Sequence, residues 1–480
     1  LRKYVNVLLN FWKMEVEMEF KFGTDGWRAI IADEFTFANV RIVAEAISLF
    51  MKERGTAERG AIVGYDARFL SPEFAIAVAD VLSSNGIDVY LPERDVPTPF
   101  ISFSIKELKA GGAVMITASH NPPIYSGIKF IPEYIHPALP DVTERIEELI
   151  KFVRKRREKK IGRIKGKVQR FDPFPSYRKH LEKVIDFSLL KENPLYAIYD
   201  PLYASGRGFL DEILRDVGWK VEVLHNVRNP LFGEMLPDPS EGNLIELGEK
   251  MKREGDIGLS TDGDADRFGI VDRGGDFISP NEVLAIALKY LVEEKKLRGA
   301  VVRSVATTNM LDSLAKLYNL PLIEVPVGFK FVGKVMKDEN GLLGGEESGG
   351  MTIKGHIPEK DGVLACLLIC EICAKWRKPL REILEEIFEL IGKFFFQRVD
   401  IPVEEDGKEK MLTALKKAGS SFAGMKIKEI NEMDGVKLKF EDGSWLLLRP
   451  SGTEPIVRCY MESHSQETLS LLREEIEKLI

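Results

Sequence analysis

Residues 61–66, AIVGYD, form an apolar run that ends on an acid. The next segment, SPEFAIAVADVLSSNG at 71–86, repeats apolar positions at helical spacing between Ser-Pro-Glu and a closing Gly86, and a second apolar run, DVYL, follows. This pattern predicts strand, amphipathic helix, strand. The same order recurs as YAIYDP, FLDEILRDVGW and KVEVL from about 196 to 224, and as AVVRSVATT, MLDSLAKLYN and LIEVPV from about 300 to 327. Three such units predict three related α/β domains with mixed, mostly parallel sheets and right-handed crossovers.

From about Phe394 the pattern changes to a strand, an acidic turn, a helix, the strands KIKEI, GVKLKF, SWLLLRP and IVRCYME, and a closing helix from Gln466. Strands joined by short turns with helices to one side predict a smaller C-terminal α+β domain. The run KFVRKRREKKIGRIKGKVQR at 151–170 carries no interleaved aromatics and reads as a solvated helix and linker at a domain border. The expected domains are therefore 18–170, 171–276, 277–393 and 394–480. Residues 1–17 are expected to be a dispensable extension. The chain opens with Leu, Met14 and Met18 sit just before the first strong pattern, and LRKYVNVLLNFW lacks the small-residue cleavage site of a secretory leader.

Composition narrows the function. The 480 residues hold 68 Lys and Arg against 75 Asp and Glu, a net charge of −7 that gives no global attraction to nucleic acid or anionic membrane. Hydrophobic residues at 44% with 30% charged argue against disorder. No apolar run reaches the roughly 18 residues of a membrane span, so a cytoplasmic protein without membrane or nucleic-acid partners is expected. Cys366, Cys370 and Cys373 repeat at helical spacing in VLACLLICEICAKW and, like Cys459, are expected to be reduced and structural rather than metal ligands.

Three segments carry chemistry. In GGAVMITASHNPPIYSGIKF (111–130) a buried strand breaks into a polar, Pro-stiffened turn with Ser119 at its apex, His120 beside it and Lys129 ten residues on. A serine held at a strand end can act as a nucleophile; on this segment alone, a hydrogen-bonded turn serine reads equally well. GDIGLSTDGDADRFGIVD (255–272) places Asp262, Asp264 and Asp266 at alternate positions of a turn, a donor set for a hard divalent cation of the magnesium class. A calcium helix-loop-helix fails here, because the sixth position is Arg267 instead of Gly and the twelfth Arg273 instead of Glu. LLLRPSGTEPIVRCY (446–460) joins Arg449, Ser451, Gly452 and Thr453 in a turn suited to a phosphate monoester. A weaker segment, GGEESGGMTIKGHIPEKDG (344–362), offers Glu346, Glu347 and Ser348 as acceptors for a polyol.

SGRGFLD (205–211) mimics a dinucleotide fingerprint, but its third Gly is missing and its strand-to-Gly loop is too long, which leaves a nicotinamide-dependent sugar oxidoreductase as a remote alternative. GxxxxGK[ST] is absent, so ATP is not implied.

In order and spacing, FGTDGWR (22–28), TASHNP (117–122), DGDADR (262–267), GEESGG (345–350) and RPSGTEP (449–455) resemble the α-D-phosphohexomutase superfamily from about Phe20 to the C-terminus. The resemblance implies four domains around a central cleft, and reversible transfer of a phosphoryl group between the 1- and 6-positions of a hexose phosphate. It further implies a phosphoserine at Ser119 that shares Mg²⁺ with Asp262, Asp264 and Asp266, and a hexose 1,6-bisphosphate as intermediate and activator. Arg28, His120 and Lys129 are implied to neutralise charge or move the sugar hydroxyl proton. Thr24, Arg267, Gly328, Phe329, Glu346, Ser348, Arg449, Ser451, Gly452 and Thr453 are implied to bind substrate. Partners would be small hexose phosphates, with monomer and homo-oligomer both open.

This chain departs from the resemblance at Gly350, where phosphomannomutase/phosphoglucomutase and phosphoglucosamine mutase relatives carry His. His356 and Lys360 of HIPEKDG are expected to supply the missing cation. The empty position favours glucose, and then mannose, phosphates over the nearest rival reading, a phosphoglucosamine mutase.

Overall fold

The computed structural model describes residues 20–23, 26–156, 165–451 and 455–479. The proposed extension at 1–17 lies outside the described residues. Four sheets follow one another along the chain. In the first, the strands run in the order Trp27–Ile30, Tyr125–Pro132, Gly112–Ile116, Ala61–Tyr65, Val89–Pro92 and Val168–Phe171. Ala61–Tyr65 and Gly112–Ile116 are buried at every position, as continuous apolar runs between covering helices should be. The helix Ser71–Ser84 starts on a Pro in its first turn and buries Phe74, Ala75, Val78 and Leu82.

The second and third sheets repeat the centre of the first. Their orders are Phe277–Ile278, Phe268–Val271, Ile257–Thr261, Tyr196–Asp200, Lys220–Val223, and Leu322–Val325, Val301–Ser304, Leu343–Gly345, Met351–Ile353. In all three, the two strands joined by the repeated helix pair in parallel with a third strand beside them: 112–116, 257–261 or 343–345. That third strand then turns back at once into an antiparallel neighbour. The turns between them, 117–124, 262–267 and 346–350, are too short for a crossover, so the returning strand is antiparallel. Each sheet therefore carries a hairpin at the same topological place, and the serine, acid and Glu346 motifs are these three equivalent turns.

The basic run at 151–170 is not linker throughout. The helix Pro140–Lys155 opens it, and Val168–Phe171 at its far end pairs in parallel with Val89–Pro92. Its largely exposed residues, Gln169 and Arg170 between Val168 and Phe171, suit an edge strand, which a reading by charge alone overlooks.

Every described strand pair of the last sheet is antiparallel, in the order Phe395–Pro402, Ile456–Ser463, Trp445–Pro450, Val436–Phe440, Met425–Asn431, Ser421–Phe422. The helices Glu405–Lys416 and Gln466–Glu477 pack on it, giving the expected α+β unit. The helix Gly362–Trp376 is apolar but for the buried Glu371 and for Lys375, and is buried from Gly362 to Ala374, with Cys366, Cys370 and Cys373 inside the largest core cluster. All four cysteines are free and buried.

Candidate active site

The serine turn is held from beneath. Ser119 has φ 51°, a left-handed conformation in a non-glycine residue, and its backbone N–H donates to Thr117 Oγ1 at 2.8 Å. Its hydroxyl donates to Asp262 Oδ2 at 2.8 Å, joining two turns 143 positions apart. The close approach requires glycine at 263, where a Cβ would lie 2.3 Å from the Ser119 carbonyl oxygen.

Asp262, Asp264 and Asp266 are fully buried, and one carboxylate oxygen from each lies within 4.8 Å of the others. Their other contacts sort the oxygens. Asp262 Oδ1 accepts from the backbone N–H groups of Asp266 and Arg267, at 2.9 and 3.0 Å. Asp264 Oδ2 accepts from Thr98 Oγ1 at 2.6 Å and Lys129 Nζ at 2.8 Å, and Asp266 Oδ2 from Lys129 Nζ at 2.9 Å with Lys360 Nζ 3.1 Å away. Asp264 Oδ1 and Asp266 Oδ1 are buried with no hydrogen-bond partner among the described residues. Two orphaned carboxylate oxygens beside a third acid are a donor set short of a cation, and hard oxygen ligands of this kind fit Mg²⁺. Burial, then the neighbouring Asp266 and Asp264, push the Asp262 carboxyl well above its ordinary range. Burial acts the same way on Asp264, but Lys129, Thr98 and Lys360 outweigh it and hold that carboxyl low.

Cations ring these acids. Arg28, on the strand Trp27–Ile30, donates to Asn121 Oδ1 in the serine turn. Arg267 has a buried Nε without a hydrogen-bond partner among the described residues, and its nearest acid is Asp238 at 3.8 Å. His120 Nδ1 stands 3.4 Å from Ser119 Oγ, and burial, followed by Arg267, Arg28, Lys129 and Arg68, depresses its pKa well below the usual value, so the imidazole is neutral.

The third hairpin turn brings Glu346 beside the second, where the Phe268 N–H donates to the Gly349 carbonyl at 3.1 Å. Its Oε1 accepts from Gly328 N–H at 2.7 Å, tying the 326–330 loop to it, and Ser348 lies half-buried in the same turn. Burial, followed by Glu347, raises the Glu346 carboxyl to about 7. At Gly350 a Cβ would lie 3.1 Å from Lys360 Cδ and 3.2 Å from the Phe329 ring, so the Lys360 stem and the Phe329 ring crowd the position. The Lys360 ammonium lies 3.1 Å from Asp266 Oδ2.

His356 is a correction. Its imidazole is sealed off, with Nε2 2.9 Å from Asp361 Oδ2 and Nδ1 3.1 Å from His180 Nε2. Its ring is held by these two residues while the Lys360 ammonium turns to Asp266, so nearness in sequence does not place the two side chains together. On the last domain, Arg449 Nε donates to Asp434 Oδ2 at 2.8 Å, and the same oxygen accepts from Val327 N–H at 3.0 Å. Ser451 is buried next to it. Thr24, Gly452 and Thr453 lie outside the described residues.

Sequence reasoning missed Thr98 and Arg68. Thr98 follows Pro97 at a helix start and looks like a cap. Arg68 stands alone in a turn, with partners more than 50 positions away.

The four domain descriptions of phosphoglucomutase/phosphomannomutase match in order: alpha/beta/alpha domain I at 19–157, domain II at 175–275, domain III at 279–391 and the C-terminal domain at 399–479. A Thermococcus kodakarensis protein named phosphoglucomutase/phosphomannomutase is 32% identical over 93% of this chain and 95% of its own. A Pyrococcus furiosus protein named as a probable phosphoglucosamine mutase is 30% identical over 96% of this chain and 97% of its own. A crystal structure from Thermus thermophilus, solved under a phosphomannomutase name, superposes with a TM-score of 0.84 at 33% identity, covering 96% of this chain and 99% of that one. Among the described residues, no helix is long and apolar enough to cross a membrane.

Proposed function

The chain belongs to the phosphoglucomutase/phosphomannomutase family, whose enzymes are isomerases that move phosphoryl groups on hexose phosphates, and we propose that it interconverts hexose 1- and 6-phosphates through phosphorylated Ser119. The observation that carries this reading is the 2.8 Å bond from the Ser119 hydroxyl to Asp262, beside two buried carboxylate oxygens that no protein donor among the described residues satisfies.

In the forward direction the free hydroxyl of a hexose 1-phosphate attacks phosphorus on Ser119. A new O–P bond forms as the Oγ–P bond breaks, and the hydroxyl proton leaves to a base. His120 suits that role, since its ring is neutral and Nδ1 lies 3.4 Å from Oγ, whereas Lys129 is committed to Asp264 and Asp266. The resulting hexose 1,6-bisphosphate turns end for end and returns its other phosphate to Ser119. A divalent cation held by Asp262, Asp264, Asp266 and the Ser119 phosphate would neutralise charge on the transferring group. Arg28 and Arg267 face the same charge, and little covalent work falls to the protein beyond positioning. Arg449 and Ser451, with Gly452 and Thr453, would grip the phosphate that stays, Gly328, Phe329, Glu346, Ser348 and Lys360 would line the sugar, and Thr24 would also bind substrate.

Glucose 1-phosphate is the proposed preferred substrate, with mannose 1-phosphate second, because the histidine of the other branches is replaced by Gly350, against which the Lys360 stem and the Phe329 ring pack, and Lys360 supplies the cation there. The 30% identical Pyrococcus relative supports a second reading, a phosphoglucosamine mutase. A coupled assay offering glucose, mannose and glucosamine 1-phosphates, with and without a hexose 1,6-bisphosphate, separates them. A highest kcat/KM on glucosamine 1-phosphate would replace the first reading with the second.

A further inference from the structure

Arg68 is fully buried, and each of its five guanidinium N–H donors is used. Nε donates to Asp66 Oδ2 at 3.1 Å. One terminal nitrogen donates to the carbonyls of Pro122 at 2.7 Å and Tyr125 at 2.9 Å, and the other to those of Ser119 and Asn121, both at 2.6 Å. Three carbonyls of the serine turn and the first of the strand that follows thus converge on a single planar cation. Asp66 is itself fixed, accepting from Ser71 Oγ at 2.7 Å and from the Arg68 N–H at 3.0 Å. The second domain closes over the back of the group. Arg228 donates to the Arg68 carbonyl at 3.0 Å, and the Arg68 guanidinium lies 5.1 Å from the centre of the Phe232 ring.

The position of these contacts matters more than their number. The Ser119 carbonyl that Arg68 holds is also the atom facing Gly263, the glycine between Asp262 and Asp264. Arg68 therefore sets how far the serine turn stands from the acid turn while touching neither the hydroxyl nor the acids that surround it. We propose that Arg68 is a positioning residue for phosphoryl transfer: it holds the Ser119 turn in its left-handed conformation and fixes the reach of Oγ toward Asp262 and the incoming sugar. This rests on the phosphoserine reading above. A lysine at 68 keeps the charge but offers three donors from one point, which cannot span four carbonyls and Asp66.

The test compares wild type with Arg68→Lys and Arg68→Ala, each incubated with glucose 1,6-bisphosphate and then assayed on glucose 1-phosphate. Peptide mass spectrometry first locates the phosphoryl group in the wild type. If it is not on Ser119, the phosphoserine reading fails, and this proposal with it. With Ser119 labelled in the wild type, folded Arg68→Lys is expected to lose about 100-fold in kcat, the penalty of an ångström-scale misplacement. Its KM should stay within about twofold, because the groups that hold the substrate are untouched. Its phosphoserine should also turn over to inorganic phosphate in a larger share of events than in wild type. Wild-type kcat in a folded variant, or a rise in KM that accounts for the lost kcat/KM, would overturn the proposal while leaving the phosphoserine reading intact. Failure of both variants to fold would make Arg68 structural and overturn it as well.

Discussion

Thr98 meets Asp264 twice: its backbone N–H donates to the Asp264 carbonyl at 2.8 Å, and its hydroxyl to Oδ2 at 2.6 Å. The first domain thereby fixes which oxygen of a second-domain acid is left over. With Oδ2 occupied by Thr98 and Lys129, Oδ1 is the atom presented to a cation.

Asp264→Asn should therefore lose metal and rate together. Replacing one charged oxygen ligand is expected to lower kcat by about 100- to 1,000-fold, the usual effect of removing one preorganised electrostatic group. It should also abolish the Mg²⁺ binding heat that calorimetry finds in the wild type. Undiminished Mg²⁺ binding in the variant would place the cation elsewhere.

Glu346 sets a pH dependence of stability. Its folded pKa of about 7 lies above the ordinary 4.5, so below pH 4.5 both states are protonated and the group costs nothing. Between 4.5 and 7 the unfolded state ionises first, and stability falls as pH rises. Above about pH 7 the penalty is complete, about 3 kcal/mol at most. In the metal- and substrate-free protein, Glu346→Gln should flatten this slope in denaturant titrations. It should also be the more stable protein at about pH 8, although slower as an enzyme. A wild-type slope retained in the variant would count against the assignment.

Arg449→Ala should act on binding. A charge-assisted hydrogen bond to phosphate is worth roughly 1.5–3 kcal/mol, so KM is expected to rise about 10- to 100-fold. Ser119 should remain phosphorylated after incubation with bisphosphate. The change also removes the link from Arg449 through Asp434 to Val327, so small-angle scattering should show a more open average shape. Loss of the phosphoenzyme would contradict this division of labour.

The cysteines should be silent. Burial pushes the Cys459 thiol up to about 12 and Cys366, Cys370 and Cys373 higher still. Cys366 also lies 3.6 Å from the Ser260 carbonyl, within the core. A thiol reagent at about pH 8 is expected to modify none of them in the native protein and all four in denaturant. Fast modification of any one would show that the core is open there.

The sequence carried the repeated strand-helix-strand units because their apolar periods are local. It did not carry the equivalence of the three hairpin turns, since the strand before the third is only Leu343–Gly345, too short and glycine-rich to register. Ser119, the acid trio, Lys129, Glu346 and Lys360 were legible as motifs, and the fold brings them together. Arg68 and Thr98 were not, because their meaning lies in carbonyls and a carboxylate 51 to 166 positions away. His356 shows the opposite failure, a residue inside a suggestive motif whose side chain the backbone turns toward His180 and Asp361.

The central claim is that Ser119 carries the phosphoryl group between the two ends of the sugar, and the most direct measurement follows that group. Wild type and Ser119→Ala are incubated with ³²P-labelled glucose 1,6-bisphosphate, digested, and the labelled peptide sequenced. Label on the peptide containing Ser119 in the wild type, with no label and no mutase turnover in Ser119→Ala, is the expected result. Normal turnover by Ser119→Ala, or label on another residue, would contradict the account.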